Sequence, residues 1–246
     1  MLRRSLFLPA AVGAVLLAAG CRSGSPGVSS FAPAPARSGP LAASASTRQA
    51  AADGAVGGSA PQRRPKAAVG EPAPPFELAD VRGRTVRLAD YKGKTVVLEW
   101  FSPTCPYSAF AWSEAGPLRE LSERLQSQGT VWLTINSETP ENAGGQSERT
   151  AVFARENRMR VPLLLDPTGR VGQAYEAKTT PHMYVISSRG VLVYRGALDN
   201  APLGKVREDA AKTNYVEAAL ADLKSGRAVT AAETKPYGRP IHYAKQ

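Results

Sequence analysis

The chain has 246 residues, two cysteines, two histidines and a formal net charge of +10. Two thiols exclude a disulfide scaffold, and with only His182 and His242 beside them no zinc-ligand spacing exists. Residues 70–246 carry 23 Lys and Arg against 20 Asp and Glu, a balance of +3 with no basic stripe interleaved with aromatics, so nucleic-acid binding is not expected.

The chain opens with Arg3 and Arg4, continues as an apolar run from Leu6 to Ala19, and reaches Leu17-Ala-Ala-Gly-Cys21. A charged start, an apolar stretch and small residues before a cleavage point describe a secretory signal. The run is short of the roughly 20 residues that span a bilayer as a helix. Its ending resembles a bacterial lipobox, with Ala18 where that pattern more often has Leu. On this reading residues 1–20 are a lipoprotein signal peptide and Cys21 is lipidated. The mature protein is then exported and membrane-anchored, on the cell membrane or outer membrane, with its domain facing the periplasm or the cell exterior. Residues 21–69 are dominated by Ala, Gly, Ser and Pro, with Phe31 the sole aromatic. Such a segment cannot bury enough apolar surface to offset its ordering entropy, and it reads as a disordered tether. Its end-to-end distance would be about 40 Å.

The remaining chain is long enough for a domain that buries roughly 70% of its unfolded surface without staples. Residues 76–79 and 85–88 alternate around the turn Asp80-Val-Arg-Gly-Arg84 and read as a hairpin. Residues 95–101, Thr-Val-Val-Leu-Glu-Trp-Phe, are β-branched and aromatic and suit a buried central strand. A helix is expected from about Pro106, interrupted near Gly116-Pro117 and resuming through Leu118, Leu121 and Leu125. A strand over 130–136, a flexible loop over 141–146 and a helix over roughly 147–159 follow. After them come a strand over 161–166 and a short helix over 171–177. Residues 183–187 and 191–195 flank Ser188-Arg-Gly190 as a second hairpin, and a last helix is expected over 205–224. This alternation argues for an α/β fold, a mixed central sheet flanked by helices. The expected domain occupies residues 70–204, with residues 205–246 as a C-terminal helix and tail packed on it.

The chemically informative segment is Glu99-Trp-Phe-Ser-Pro-Thr-Cys-Pro-Tyr-Ser108, which sets Cys105 between a buried strand and a helix start. Unpaired N–H groups and the helix dipole at such a junction stabilise an anion, which suits a reacting thiolate. Pro106 fits the first helical turn, where its missing donor costs nothing. A buried, inert cysteine is the plainer alternative. Together with Gly70-Glu-Pro-Ala-Pro-Pro-Phe76 and Thr179-Thr-Pro-His-Met183, this segment resembles the thioredoxin-like superfamily, in its redoxin (AhpC/TSA, TlpA-like) branch. The likeness spans residues 69–243, and Thr234-Lys-Pro-Tyr-Gly238 matches a bacterial subgroup of that branch. The resemblance implies a thioredoxin-like fold with Cys105 as the attacking thiol and Glu99 as a buried acid that moves a proton. It implies Pro181 as a cis-proline beside the thiol, leaving the Thr180 backbone free to pair with an extended substrate. Pro106, Tyr107 and Ser108 complete the expected substrate contacts. A carboxyl buried in such a strand has a raised pKa, and the alternative for Glu99 is an edge or salt-bridged carboxylate. His182 is a candidate to face the thiol, whereas His242 reads as a surface residue and Trp100, Phe101, Trp132 and Tyr184 as packing.

Two departures from the family pattern limit the chemistry. Ser108 stands where Cys-x-x-Cys has its second thiol, and Arg239 stands where related sequences carry a further Cys after Pro-Tyr-Gly. A mixed disulfide or sulfenic acid at Cys105 then needs an outside thiol to release it. The peroxiredoxin pattern sets Pro seven and Thr or Ser three residues before its Cys; here those positions are Leu98 and Ser102, so the hydroxyl alone survives. Three functions stay open: a single-cysteine thiol–disulfide oxidoreductase of the cell envelope, a one-cysteine peroxiredoxin-like antioxidant, and a non-catalytic binding module. Expected partners are protein or small-molecule thiols and disulfides, peroxide in the second reading, and the membrane through Cys21. No metal or other cofactor is expected.

Overall fold

The computed structural model describes residues 66–138 and 146–243. The expected signal peptide, Cys21, nearly all of the expected tether and residues 141–145 of the expected loop over 141–146 lie outside them. Among the described residues no helix is long and apolar enough to cross a membrane.

The first hairpin joins β1 (Glu77–Asp80) to β2 (Thr85–Arg87). Asp80 makes the turn: its carboxylate accepts the Arg82 and Arg84 N–H groups at 2.8 and 2.9 Å, an Asx-type closure. β3 (Val96–Trp100) is buried at every position, as a run apolar on both alternating faces must be. It leads through a short loop into α1 (Pro106–Trp112), and the break at Gly116-Pro117 separates α1 from α2 (Leu118–Ser127). β4 (Val131–Asn136), α3 (Gln146–Glu156), β5 (Leu163–Leu165) and α4 (Arg170–Ala174) follow. Next come β6 (Thr179–Thr180), β7 (His182–Ile186), β8 (Leu192–Gly196), α5 (Tyr215–Lys224) and β9 (Arg239–Pro240).

Seven strands form one mixed sheet in the order β2-β1-β5-β4-β3-β7-β8. β3 runs parallel to β4 and antiparallel to β7, and four of the six neighbouring pairs are antiparallel. The alternation along β3 splits the core. Val97 joins Phe101, Trp112, Leu121 and Trp132 on one side of the sheet. Leu98 and Trp100 join Leu133, Tyr175, Tyr184 and Leu192 on the other. This is the mixed α/β architecture that the sequence pattern implies, and the thioredoxin-like fold that the family resemblance implies.

Two features depart from expectation. The last helix covers 215–224 rather than 205–224. Asn214 is its N-cap and accepts the Glu217 N–H at 3.1 Å. Just before it, the Asn200 side chain holds the Ala211 carbonyl and the Thr213 N–H at 2.8 Å each, and Asp209 has φ +67°. Those bonds keep residues 205–213 as a loop despite their helix-favouring composition. The second departure is β9, which pairs antiparallel with β6 and runs beside the thiol.

Candidate active site

Cys105 is the N-cap of α1, with extended backbone angles (φ −82°, ψ 121°) and 1% exposure. The loop that brings it there is tied down at both ends. The Phe101 N–H donates to Ile135 O at 2.9 Å and the Cys105 N–H to Ser102 O at 3.2 Å. The Cys105 thiol donates to the Thr180 carbonyl at 2.8 Å. The Thr180–Pro181 peptide is cis. Two segments 75 residues apart thus meet at one sulfur, and both were singled out in the sequence.

Glu99 lies on the opposite side of β3 from Trp100 and is 0% exposed. Its carboxyl accepts from Trp112 Nε1 at 2.9 Å, Trp132 Nε1 at 3.3 Å and Thr134 Oγ1 at 3.3 Å. Burial is the dominant influence and pushes its pKa up from 4.5 to about 7, while those three donors oppose the rise. Glu99 is on a central strand rather than an edge, and among the described residues it forms no salt bridge. Among the described residues no hydrogen bond links Glu99 to Cys105.

The other expected site residues are placed as follows. Pro106 is exposed at the first turn of α1, and Tyr107 packs its ring 5.9 Å from that of Tyr237. Ser108 is fully buried, and its hydroxyl is, among the described residues, the one buried side-chain polar atom with no hydrogen-bond partner. His182 does not bond to the thiol. Its Nδ1 accepts the Lys178 N–H at 3.2 Å and lies 3.0 Å from the Tyr184 hydroxyl. Burial, aided by the charges of Lys178 and Arg195, holds its pKa down at about 3, so it is neutral at ordinary pH.

The expectation that the Thr180 backbone is free for an extended substrate does not hold. Thr179 and Thr180 are already paired, antiparallel, with Pro240 and Arg239, and the Ile241 N–H donates to Lys178 O at 3.0 Å. The C-terminal residues therefore form one wall of a cavity of about 400 Å³ that opens onto Cys105. His242, exposed as expected, lines this cavity too. Sequence reasoning also missed Glu138, whose carboxylate accepts hydrogen bonds from Ser102 and, at 3.1 Å, from Thr104 on the cavity wall. Gly238 was the available signal for the tail. Its φ is +122°, and a Cβ there would collide with the Thr180 carbonyl, so only glycine permits that approach. Among the described residues no cluster of three or more His, Cys, Asp or Glu offers a metal site.

Several known proteins share this sequence pattern. Residues 69–195 match the AhpC/TSA family. The thiol-disulfide oxidoreductase ResA of Geobacillus thermodenitrificans is 31% identical over 123 residues, which are 50% of this chain and 66% of that protein, just under two thirds of its length. Bovine peroxiredoxin-2 is 30% identical over 164 residues, covering 59% of this chain and 76% of its own. Among solved structures, an uncharacterized conserved protein from Geobacillus kaustophilus superposes with a TM-score of 0.62 at 29% identity, over 73% of this chain and 94% of that one. Family match, fold and the position of Cys105 agree: the chain belongs to the AhpC/TSA family of redoxins in the thioredoxin-like superfamily.

Proposed function

We propose that the protein is a thiol–disulfide oxidoreductase that works through the single thiol of Cys105. The observation that carries this reading is the 2.8 Å contact between Cys105 Sγ and the Thr180 carbonyl, where a strand-to-helix junction meets the segment ending in Pro181. In the reaction, the Cys105 thiolate attacks one sulfur of a disulfide. A new S–S bond forms, the old one breaks, and the departing thiolate takes up a proton. Glu99, with a pKa of about 7, is suited to give or hold that proton near neutrality. With Ser108 and Arg239 in place of second cysteines, an outside thiol must attack the mixed disulfide and restore Cys105. Roles for Pro181, Pro106, Tyr107 and Ser108 in holding the substrate belong to the same proposal, as does Thr180 in the cavity wall, with its backbone already paired to the tail. So does the layout of a signal peptide over 1–20, lipidation at Cys21, a tether over 21–69, and a redoxin domain over 70–204 with residues 205–246 packed on it. That layout would place the chemistry in the cell envelope.

Mixing the reduced protein, carrying Cys21→Ser so that Cys105 is its one thiol, with a small disulfide and reading the intact mass tests the reading. This chain should gain one half of the disulfide at Cys105 and lose it on adding thiol, and the further change Cys105→Ser should abolish the gain. A chain with Cys105 in place that forms no adduct ends the proposal.

A peroxidase reading has one observation in its favour: Ser102, the hydroxyl three residues before Cys105, lines the same cavity. That hydroxyl is engaged with Glu138 and Thr104, which leaves it less available to a peroxide. Peroxide oxidation of Cys105 faster than that of free cysteine would move the assignment to peroxide reduction.

A further inference from the structure

We infer that the C-terminal strap, residues 232–243, sets the substrate class of this site. It confines Cys105 to small disulfides and thiols, favours those carrying a carboxylate, and excludes extended polypeptide. The inference rests on the exchange reading above.

An extended peptide docks on a redox site by adding a strand to an exposed edge, with main-chain hydrogen bonds supplying most of the affinity. The edge beside Cys105 is the dipeptide Thr179–Thr180, and β9 occupies it from within the same chain. The Thr180 carbonyl is engaged as well, by the Cys105 thiol.

The strap is anchored on both sides of the thiol. Upstream, Arg195 N–H donates to Ala232 O at 3.0 Å, Thr234 Oγ1 accepts the Ala197 N–H at 2.9 Å, and the Tyr237 hydroxyl donates to Asp199 Oδ1 at 2.7 Å. Downstream, Ile241 packs against the apolar layer that contains Trp100, and the Tyr243 hydroxyl donates to Ala177 O at 2.8 Å. The Tyr243 ring fills the space over Gly169 and Gly172, where a Cβ at either position would meet it. Backbone pairing, apolar burial and side-chain bonds together make the segment a fixed wall.

What remains open is the cavity of about 400 Å³, at the small end of the range of small-molecule sites. Glu138 in its wall is occupied with Ser102 and Thr104. Arg239, also in the wall and exposed, has no ion pair among the described residues. A guanidinium presents a planar fork that matches a carboxylate. The site thus favours a disulfide RS–SR whose R group bears a carboxylate. Cys105 forms an S–S bond to one half, and the other half leaves as thiolate and is protonated. A second small thiol then attacks as thiolate, releases a new small disulfide and returns the electron pair to Cys105. One disulfide is exchanged for another, and the protein shows no net change in oxidation.

The test uses the full chain carrying Cys21→Ser, reduced, with three probes: dithiodipropionate (a dianion), cystamine (a dication), and an extended peptide pair joined by one disulfide. Rates of adduct formation at Cys105 are read by intact mass. With each rate divided by that of the same probe toward mercaptoethanol, which removes the difference in leaving-group pKa, dithiodipropionate should react about tenfold faster than cystamine, the ratio two weak charge contacts of opposite sign produce. The peptide disulfide should lag by about 100-fold, as for an edge that the strap vacates in about 1% of molecules. Arg239→Glu, an exposed change, should reverse the order of the two small probes, and Arg239→Gln should bring them level. Equal rates for peptide and dianion with Arg239 in place would overturn the size restriction while leaving disulfide exchange intact. A charge preference unchanged in both Arg239 variants would overturn the carboxylate preference. No adduct with any probe would remove the exchange reading, and this inference with it.

Discussion

Glu99 and His182 stand on neighbouring strands, with His182 directly across from Trp100, the residue after Glu99. Both are buried, both carry ionisable groups, and burial drives both toward the neutral form. They differ in what surrounds them. Three donors converge on the Glu99 carboxyl, which favours the anion and leaves the group balanced near pH 7. His182 meets a backbone N–H and a tyrosine hydroxyl, which suit a neutral ring, and two nearby cations disfavour its charge further. Equal burial therefore yields one group able to exchange a proton near neutrality and one fixed in a single state. Burial sets the direction of a shift, and the polarity of the hydrogen-bond partners decides whether the group stays usable.

The contrast has a measurable consequence, because the two groups act on stability with opposite sign. Unfolded, Glu99 loses its proton near pH 4.5, whereas folded it keeps it to about 7, so it lowers stability as pH rises through that window. Unfolded, His182 is protonated below about 6.5, whereas folded it stays neutral down to about 3, so it raises stability as pH rises from 3 to 6.5. Between 4.5 and 6.5 the two slopes cancel.

The largest effect expected is for His182→Ala. Lost packing and an unpaired Lys178 N–H cost about 2–5 kcal/mol in urea unfolding at pH 7. With the histidine slope gone, stability relative to the native chain should rise as the pH is lowered from 6.5. A uniform cost across pH would mean that His182 titrates normally and would break the contrast. Glu99→Gln comes next. Its stability relative to native should climb by about 1.4 kcal/mol per pH unit between pH 4.5 and 7, in all on the order of 3 kcal/mol. The exchange rate at Cys105 should lose any inflection near pH 7. A flat difference curve would place Glu99 among ordinary carboxylates. The smallest effect is expected for Thr134→Val, which deletes the donor at 3.3 Å and nearly preserves shape. Loss of that bond costs the anion about 1 kcal/mol, so the Glu99 midpoint should move further up by less than one pH unit. A downward move would show that Thr134 does not donate to it.

Legibility tracked the range of the interactions involved. The buried strand 96–100, the helix start at Pro106 and both hairpins were readable, because alternation, β-branching and turn residues act within a few positions. Cys105 was readable for the same reason, being defined by what immediately precedes and follows it. Residues 205–213 misled because their composition favours helix, whereas Asn200, outside the segment, holds their backbone in a loop. Glu138 had no local signature, since its place in the cavity depends on Ser102 and Thr104 more than thirty residues earlier. For the carboxyl of Glu99 the strand could be assigned, but not the two tryptophans and the threonine that meet it there.

The sequence by itself determined the order of elements, the placement of one thiol at a strand-to-helix junction, and Ser108 and Arg239 where the family pattern has further cysteines. These follow from residue identity and short-range pattern. Only the tertiary structure decided what the thiol faces. Thr180 approaches Cys105 from 75 residues away, and Arg239 and His242 close the cavity from more than 130 residues away. Such approaches are fixed by the burial of Ile241 and Tyr243 and by backbone pairing across the sheet edge. Those free energies depend on the assembled fold, and no stretch of neighbouring residues encodes them.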